Sequence, residues 1–270
     1  MEIKAIILDW AGTSVDFGSL APTKAFKNAF NDFGIDVSNE IIRKYMGLHK
    51  KYHTERILKE PVISELWEKK FGRIPNQLDV DRIFDNLGPA MDQSVQEFSD
   101  PIDGVIEFME IMQKEGIKFG STTGYVRNMM NILLPVAESK GLVFDSVVTP
   151  DEVKYGRPHP YMIYKNAMNL ETYPIWKMVK IGDTIADIEE GLNAGMWVIG
   201  LTKSGNEMGM SQQELLNSDE KIIDEKEAII TEKFLNAGAH YTAGSVADCY
   251  EIIEDINHRI KINDLPIYKD

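Results

Sequence analysis

The sequence has almost no cysteine, no excess of positive charge and no long apolar run. Its one cysteine, Cys249, excludes an intrachain disulfide and fits a reducing compartment. With 43 acidic against 29 basic residues the formal net charge is -14, which disfavours nucleic acid or an anionic membrane as a general partner. No apolar run approaches the roughly 18 residues of a membrane span, and the start of the chain lacks a signal-peptide pattern. We therefore expect a cytoplasmic protein.

What the sequence does contain is an alternation of apolar runs with amphipathic stretches. The runs predict strands at residues 3–8, 117–121, 146–148, 178–181 and 196–201. The stretches predict helices at residues 129–140, 161–168, 185–194, 222–235 and 246–260. This alternation is typical of an α/β fold with a mostly parallel sheet, whose ligands bind beyond the carboxyl ends of the strands. Asp9, Thr123 and Asp183 follow such ends, so we expect them to share one site.

Residues 18–101 interrupt the alternation with helical patterns only. These patterns cover residues 21–33, 38–46, 52–59, 62–71 and 80–98. Gly34 stands where a glycine commonly ends a helix, and Ser38 where a serine begins one. We therefore predict an all-helical insertion, with residues 1–17 and 102–270 forming the α/β domain.

Three carboxylates follow predicted strands in positions that suit a nucleophile or a metal site. Asp9 ends the first strand, where a carboxylate can act as a nucleophile if a cation offsets its charge; the ordinary alternative is an aspartate that caps a turn. Asp183 and Asp187 share one face of the turn and helix that follow the strand predicted at residues 178–181. They repel each other there unless a cation lies between them or hydrogen-bond donors satisfy them. Helix capping would explain this second pair equally well. If a metal is bound, Mg²⁺ is the expected ion, since it takes oxygen ligands.

Two loops carry groups that could bind a phosphoryl oxygen. Thr123 and Gly124 offer a hydroxyl and an N–H after a strand, although such pairs commonly serve only the turn. Arg157 can pair with a carboxylate or phosphoryl group through two donors. The alternative is that Arg157 faces solvent and that Lys154 takes this role instead.

Taken in order, these motifs resemble the haloacid dehalogenase superfamily, whose usual first pattern is Asp-x-Asp-x-Thr. The resemblance covers most of the chain and implies a Rossmann-like parallel-sheet core, with residues 18–101 as a helical cap over the catalytic face. It implies that Asp9 is the nucleophile, that Thr123 and Gly124 bind the phosphoryl group, and that Arg157 balances its charge. It also implies a set of Mg²⁺ ligands, namely Asp9, the main-chain carbonyl of Ala11, and Asp183, with Asp187 reaching the ion through water.

Three features resemble one branch, the phosphonoacetaldehyde hydrolases. Ala11 replaces the acid that protonates an oxygen leaving group, Arg157 replaces the usual lysine, and Lys50 lies in the insertion. The resemblance implies hydrolysis of phosphonoacetaldehyde to acetaldehyde and phosphate, with an imine on Lys50 that accepts the electrons of the broken carbon–phosphorus bond. Ala11 is then accounted for, because no oxygen leaves.

The same resemblance implies further roles around Lys50. Met46 and Tyr125 would line the aldehyde pocket, and His53, one helical turn from Lys50, would move protons; it also implies a homodimer formed through cap helices. As sequence features alone, Met46 and Tyr125 are packing residues, and a lysine on a helix is commonly exposed. Lys51 is the alternative to Lys50. The roles of His49 and Tyr52 are open.

Two other functions are compatible with the motifs. One is a phosphatase or mutase acting on a small phosphate ester, which Ala11 disfavours because ester cleavage needs an acid. The other is a non-catalytic protein that binds a metal or a phosphorylated ligand. The presence of Asp9, Asp183, Asp187 and Arg157 together disfavours the loss of catalysis.

Overall fold

The fold is built on a parallel sheet whose central strands come from the start and the middle of the chain. A computed structural model describes residues 1–266, with side chains for all of these except residues 90–97. Within that range the sheet has six strands in the order β3-β2-β1-β4-β5-β6. The strands are β1 (Ala5–Leu8), β2 (Lys118–Thr122), β3 (Ser146–Val148), β4 (Met178–Gly182), β5 (Trp197–Leu201) and β6 (Tyr241–Ala243). The α/β class predicted from the alternation is confirmed.

The register of the sheet brings the polar strand ends together. In the centre, Leu8 pairs with Ser121 of β2 on one side and with Ile181 of β4 on the other. All four residues of β1 are buried, as expected for a parallel strand covered on both faces. The residues directly after these strands therefore meet at one edge.

Residues 18–101 form helices, as predicted. They are α1 (Leu20–Asn31), α2 (Asn39–Arg43), α3 (Lys50–Leu58), α4 (Pro61–Phe71) and α5 (Gln77–Glu97). Ser38 caps α2 by accepting the N–H of Ile41 at 3.3 Å, and Gly34 takes a positive φ of 64° in the turn after α1. The helix predicted from residue 52 starts at Lys50. The division into a core and a cap stays a prediction.

Helices on both faces of the sheet complete the structure. They are α6 (Val105–Lys114), α7 (Arg127–Ser139), α8 (Tyr161–Asn169), α9 (Ile185–Ala194), α10 (Gln212–Asn217), α11 (Glu220–Asn236) and α12 (Tyr250–Lys261). The helix predicted for residues 246–260 begins later, because Val246–Cys249 forms a 3-10 turn. Cys249 is buried there, and burial raises the pKa of its thiol, so it acts as a small apolar residue.

Within residues 1–266, no helix combines the length and the apolar character that a crossing of a lipid bilayer requires.

Candidate active site

Asp9 and Arg157 form the centre of a buried site at the carboxyl edge of the sheet. Oδ1 of Asp9 accepts a hydrogen bond from Nη2 of Arg157 at 2.7 Å, and both side chains are buried. The same Nη2 donates to the main-chain oxygen of Thr122 at 2.7 Å. Burial alone would lower the pKa of Arg157, but the carboxylates of Asp187, Asp9 and Glu190 raise it, so the guanidinium stays charged. Lys154, the alternative to Arg157, is exposed.

A second group of carboxylates joins Asp9 from the turn between β4 and α9. One carboxylate oxygen each from Asp9, Asp183 and Asp187 lies within 4.8 Å of the others, and all three residues are buried. Asp183 accepts hydrogen bonds from the hydroxyl of Thr13 at 3.1 Å and from the N–H of Asn206 at 2.7 Å. Burial and repulsion from Asp9 and Asp187 raise the pKa of Asp183 well above its ordinary value.

This crowding of carboxylates is what a bound cation would relieve, so the donor set fits a hard, oxygen-preferring metal ion. Asp187 differs from the other two, because it pairs with Arg157 at 3.0 Å and with Lys180 at 2.9 Å. Burial opposes ionisation of Asp187, but these two cations lower its pKa. Its charge is therefore compensated by two cations of the protein, and the water-mediated role expected for it stays a prediction.

Lys50 lies buried at the start of α3. Its Nζ is 3.9 Å from Sδ of Met46, 4.9 Å from the ring centroid of Tyr125 and 5.8 Å from that of Phe26. No carboxylate of the described side chains lies within 4.0 Å of this amine. Burial lowers the pKa of Lys50 to about 8; the charge of Arg157 acts in the same direction and that of Asp9 against it.

The side chains next to Lys50 have other surroundings. The side chain of Lys51 is 44% exposed and pairs with Asp81 at 2.8 Å. His49 caps α3 by accepting the N–H of Lys51 at 3.1 Å, and Tyr52 is 38% exposed, on the solvent side of the helix. Of the two lysines that the sequence leaves open, the structure therefore brings only Lys50 into the interior.

His53 is fully buried one turn along α3 from Lys50. Its Nε2 lies 2.8 Å from the main-chain oxygen of Ile42, a contact that assigns the ring proton to Nε2. The ring centroid is 4.0 Å from that of Phe26, which Lys50 also approaches. Burial and the charge of Lys50 lower the pKa of His53 well below its ordinary value. The imidazole is thus neutral, and its Nδ1 has no hydrogen-bond partner among the described side chains.

A loop of the insertion closes over this site. A Cβ atom on Gly124 would lie 2.6 Å from the main-chain oxygen of Leu48, and one on Gly47 would lie 2.4 Å from Oγ1 of Thr184. Nη1 of Arg157 donates to the main-chain oxygen of Gly47 at 3.5 Å. Thr123 shapes the loop below, since its hydroxyl accepts the N–H of Tyr125 at 3.1 Å. Only glycine at positions 47 and 124 permits so close an approach.

Lys180 and Glu190 are buried charged residues that the sequence analysis does not identify. Lys180 belongs to β4 and Glu190 to α9, and each is 0% exposed. Oε2 of Glu190 accepts a hydrogen bond from Nε of Arg157 at 2.9 Å. One signal in the sequence could have identified them: Lys180 lies inside an apolar run, and Glu190 on the apolar face of a helix. Charged residues are rarely fully buried unless paired, so this placement indicates a buried ion pair.

Comparison with known proteins connects this site with a family. Residues 6–201 match the family model described as haloacid dehalogenase-like hydrolase. The chain is 44% identical over 264 residues to a phosphonoacetaldehyde hydrolase of Syntrophobacter fumaroxidans, covering 98% of this chain and 95% of the relative. It is 39% identical over 256 residues to a phosphonoacetaldehyde hydrolase of Bacillus cereus, covering 95% of this chain and 97% of the relative. A crystal structure of a phosphonoacetaldehyde hydrolase-like protein from Oleispira antarctica matches with a TM-score of 0.97 at 37% identity, covering 98% of this chain and 96% of that one.

Proposed function

The chain belongs to the phosphonoacetaldehyde hydrolase family of the haloacid dehalogenase-like hydrolases, and we propose that it hydrolyses phosphonoacetaldehyde to acetaldehyde and phosphate. The observation that supports this most is the buried amine of Lys50, which lies close enough to Asp9 for their charges to interact. A phosphate-ester hydrolase has no use for such an amine. It would instead need an acid where this chain has Ala11.

The proposed reaction uses Lys50 first and Asp9 second. The neutral amine of Lys50 adds to the aldehyde carbon, and loss of water with uptake of one proton from solvent gives a protonated imine. Asp9 then attacks phosphorus, and the electron pair of the carbon–phosphorus bond moves into the imine to form an enamine. Water hydrolyses the phosphorylated Asp9 to phosphate. Protonation of the enamine carbon and hydrolysis of the resulting imine release acetaldehyde and restore Lys50.

The other site residues support these steps in the same proposal. Arg157, Thr123 and Gly124 bind the phosphoryl oxygens, and Met46 and Tyr125 hold the aldehyde end. His53 is neutral, and its Nδ1 has no hydrogen-bond partner among the described side chains; it moves the proton during loss of water. Asp9, the main-chain carbonyl of Ala11, and Asp183 would hold Mg²⁺, and Asp187 would contribute through a water molecule. When bound, the ion supplies positive charge against which the anionic carboxylate and phosphoryl group can meet.

We also propose how the chain is organised. Residues 18–101 act as a cap on the core formed by residues 1–17 and 102–270, and the enzyme is a cytoplasmic homodimer joined through cap helices. Exposed apolar side chains on α4 and at the start of α5 support this interface, namely Val62 (51%), Leu66 (40%), Phe71 (42%) and Leu78 (54%).

The activity is tested by following both products at once. With phosphonoacetaldehyde and Mg²⁺, we expect acetaldehyde and phosphate in equal amounts, with release stopped by a chelator and restored by added Mg²⁺. Folded, metal-replete protein that releases neither product would contradict the proposal. Rapid hydrolysis of sugar phosphates by that protein would identify an ester phosphatase instead.

The pH dependence tests the state of Lys50. The amine reacts only when unprotonated, so kcat/KM is expected to rise with pH up to about 8 and then level off. An unperturbed lysine would place this limit near about 10.4. The measurement is kcat/KM across this range. Lys51→Met is the control, because Lys51 has a 44% exposed side chain paired with Asp81 and should leave the profile unchanged. A profile that still rises tenfold per pH unit above 9 would show that Lys50 keeps an ordinary pKa, as would a rise that ends only near about 10.4.

A further inference from the structure

We infer that Lys180 and Glu190 are positioning residues that fix the guanidinium of Arg157 against Asp9. The inference deepens the proposed function and rests on it for the role of Arg157 at the phosphoryl group. Neither residue is among the site residues expected from the motifs, and neither is in hydrogen-bond or ion-pair contact with Asp9.

The contacts divide the edges of the guanidinium between different acceptors. Glu190 takes the Nε edge at 2.9 Å, while Nη2 contacts Asp9 at 2.7 Å and Asp187 at 3.0 Å. The hydroxyl of Thr122 lies between the groups: it accepts from Nη2 of Arg157 at 2.8 Å and donates to Oε2 of Glu190 at 2.8 Å. With Nε and Nη2 both held, the plane of the guanidinium cannot turn.

Lys180 supplies the charge that lets Arg157 be shared in this way. Its Nζ lies 2.9 Å from Oδ1 of Asp187 and 3.4 Å from Oε2 of Glu190, and it donates to the hydroxyl of Thr122 at 2.8 Å. Without this cation, Arg157 would be the only positive partner of both carboxylates among the described side chains. Buried, unpaired charge is costly, so the guanidinium would be drawn toward Asp187 and Glu190 and away from Asp9.

The arrangement also shows why an arginine at position 157 needs more hydrogen-bond partners than a lysine would. A lysine ammonium is a compact charge without a preferred plane, whereas a guanidinium is a rigid fork whose donors must all be matched. Glu190 matches the donor that faces away from the reaction, and Lys180 balances Glu190. Arg157, Glu190 and Lys180 therefore form one unit, in which a single change leaves a buried group unmatched.

The experiment compares Glu190→Gln, Lys180→Met and the double variant with wild type. Glu190→Gln keeps the size of the side chain and removes its charge; Glu189→Gln, at the exposed neighbour on α9, is the matched control. The readouts are the Kd of inorganic phosphate with Mg²⁺ present, kcat and KM for phosphonoacetaldehyde, and borohydride trapping of acetaldehyde on Lys50. Displacement of a catalytic group by about 1 Å can cost about 100-fold in rate.

Each single variant is therefore expected to bind phosphate at least about tenfold more weakly and to lose about 100-fold in kcat, with trapping at Lys50 unchanged. The double variant removes one charge of each sign, so its loss should be smaller than the combined losses of the single variants. Wild-type phosphate affinity and kcat in folded Glu190→Gln would overturn the inference, and so would a parallel loss of trapping, which marks a general structural defect.

Three further outcomes are decisive. If a single variant does not fold, the charge-balanced double variant is tested, and wild-type phosphate affinity in it would overturn the inference. If wild-type protein releases no acetaldehyde, the proposed function fails; phosphate binding then still decides whether Lys180 and Glu190 position Arg157. Wild-type protein that does not bind phosphate at all would overturn the inference as well.

Discussion

Replacement of Lys50 by arginine is expected to lower kcat for phosphonoacetaldehyde by more than about 10⁴-fold. Loss of an acid or base commonly costs about 10²–10⁴-fold, and here the covalent electron acceptor is removed as well. Arginine keeps the positive charge but stays protonated, so it cannot form the imine. The measurement is acetaldehyde release, together with borohydride trapping of acetaldehyde, which should add an ethyl group to Lys50 in wild-type protein and to no residue of the variant.

Lys51→Arg is the matched control, because the side chain of Lys51 is 44% exposed and pairs with Asp81. It should retain wild-type turnover and trapping. A Lys50→Arg variant with near-normal activity would remove the imine from the mechanism. A thermal unfolding midpoint close to that of wild type would establish that loss of activity in Lys50→Arg is not loss of folding.

Replacement of Asp9 by asparagine should be the other large effect, with kcat reduced by about 10⁶-fold, as for removal of a nucleophile in other enzymes. The amide cannot attack phosphorus, yet it fills the same space and still offers an oxygen to Nη2 of Arg157. The two variants should stop the reaction at different stages. Asp9→Asn should still form the imine, so that borohydride traps the intact phosphonoacetaldehyde on Lys50.

This trapped species is measured by mass spectrometry of the peptide that contains Lys50. Its presence without acetaldehyde release would place Asp9 after imine formation. Acetaldehyde release by Asp9→Asn at a rate near wild type would mean that another group attacks phosphorus. Failure of the variant to trap substrate would mean that Asp9 takes part in imine formation, contrary to the proposed order.

The sheet was predictable where the apolar runs were long enough to indicate buried strands. The five predicted strands are confirmed to within two residues of their ends. The signal was clearest for β1 and β5, because parallel strands covered on both faces are nearly all apolar. The strand β6 was missed. It has only three residues, like β3, but two of its three are half-buried and they include no run of aliphatic side chains.

The candidate site was predictable where the residue type at a strand end indicates a nucleophile or a metal ligand, as for Asp9 and Asp183. Choosing between Lys50 and Lys51 was not possible in this way, because the answer depends on which side of α3 packs near Tyr125. Lys180 and Glu190 were missed for a related reason. Their partners are distant in sequence and meet only across β4 and α9, so their pairing appears only in three dimensions. The roles of the site residues stay predictions.

Gly47 and Gly124 hold the loop of residues 46–49 close over the site, and this close fit has a kinetic consequence. With Asp9 5% and Lys50 3% exposed, an aldehyde in bulk solvent has no route to the amine while the loop is seated. On the proposed mechanism, each turnover therefore includes one opening of this loop that admits the substrate and one that releases phosphate and acetaldehyde. Turnover can be no faster than these movements. We therefore expect the opening rate of the loop to set an upper limit on kcat, independent of the reactivity proposed for Lys50.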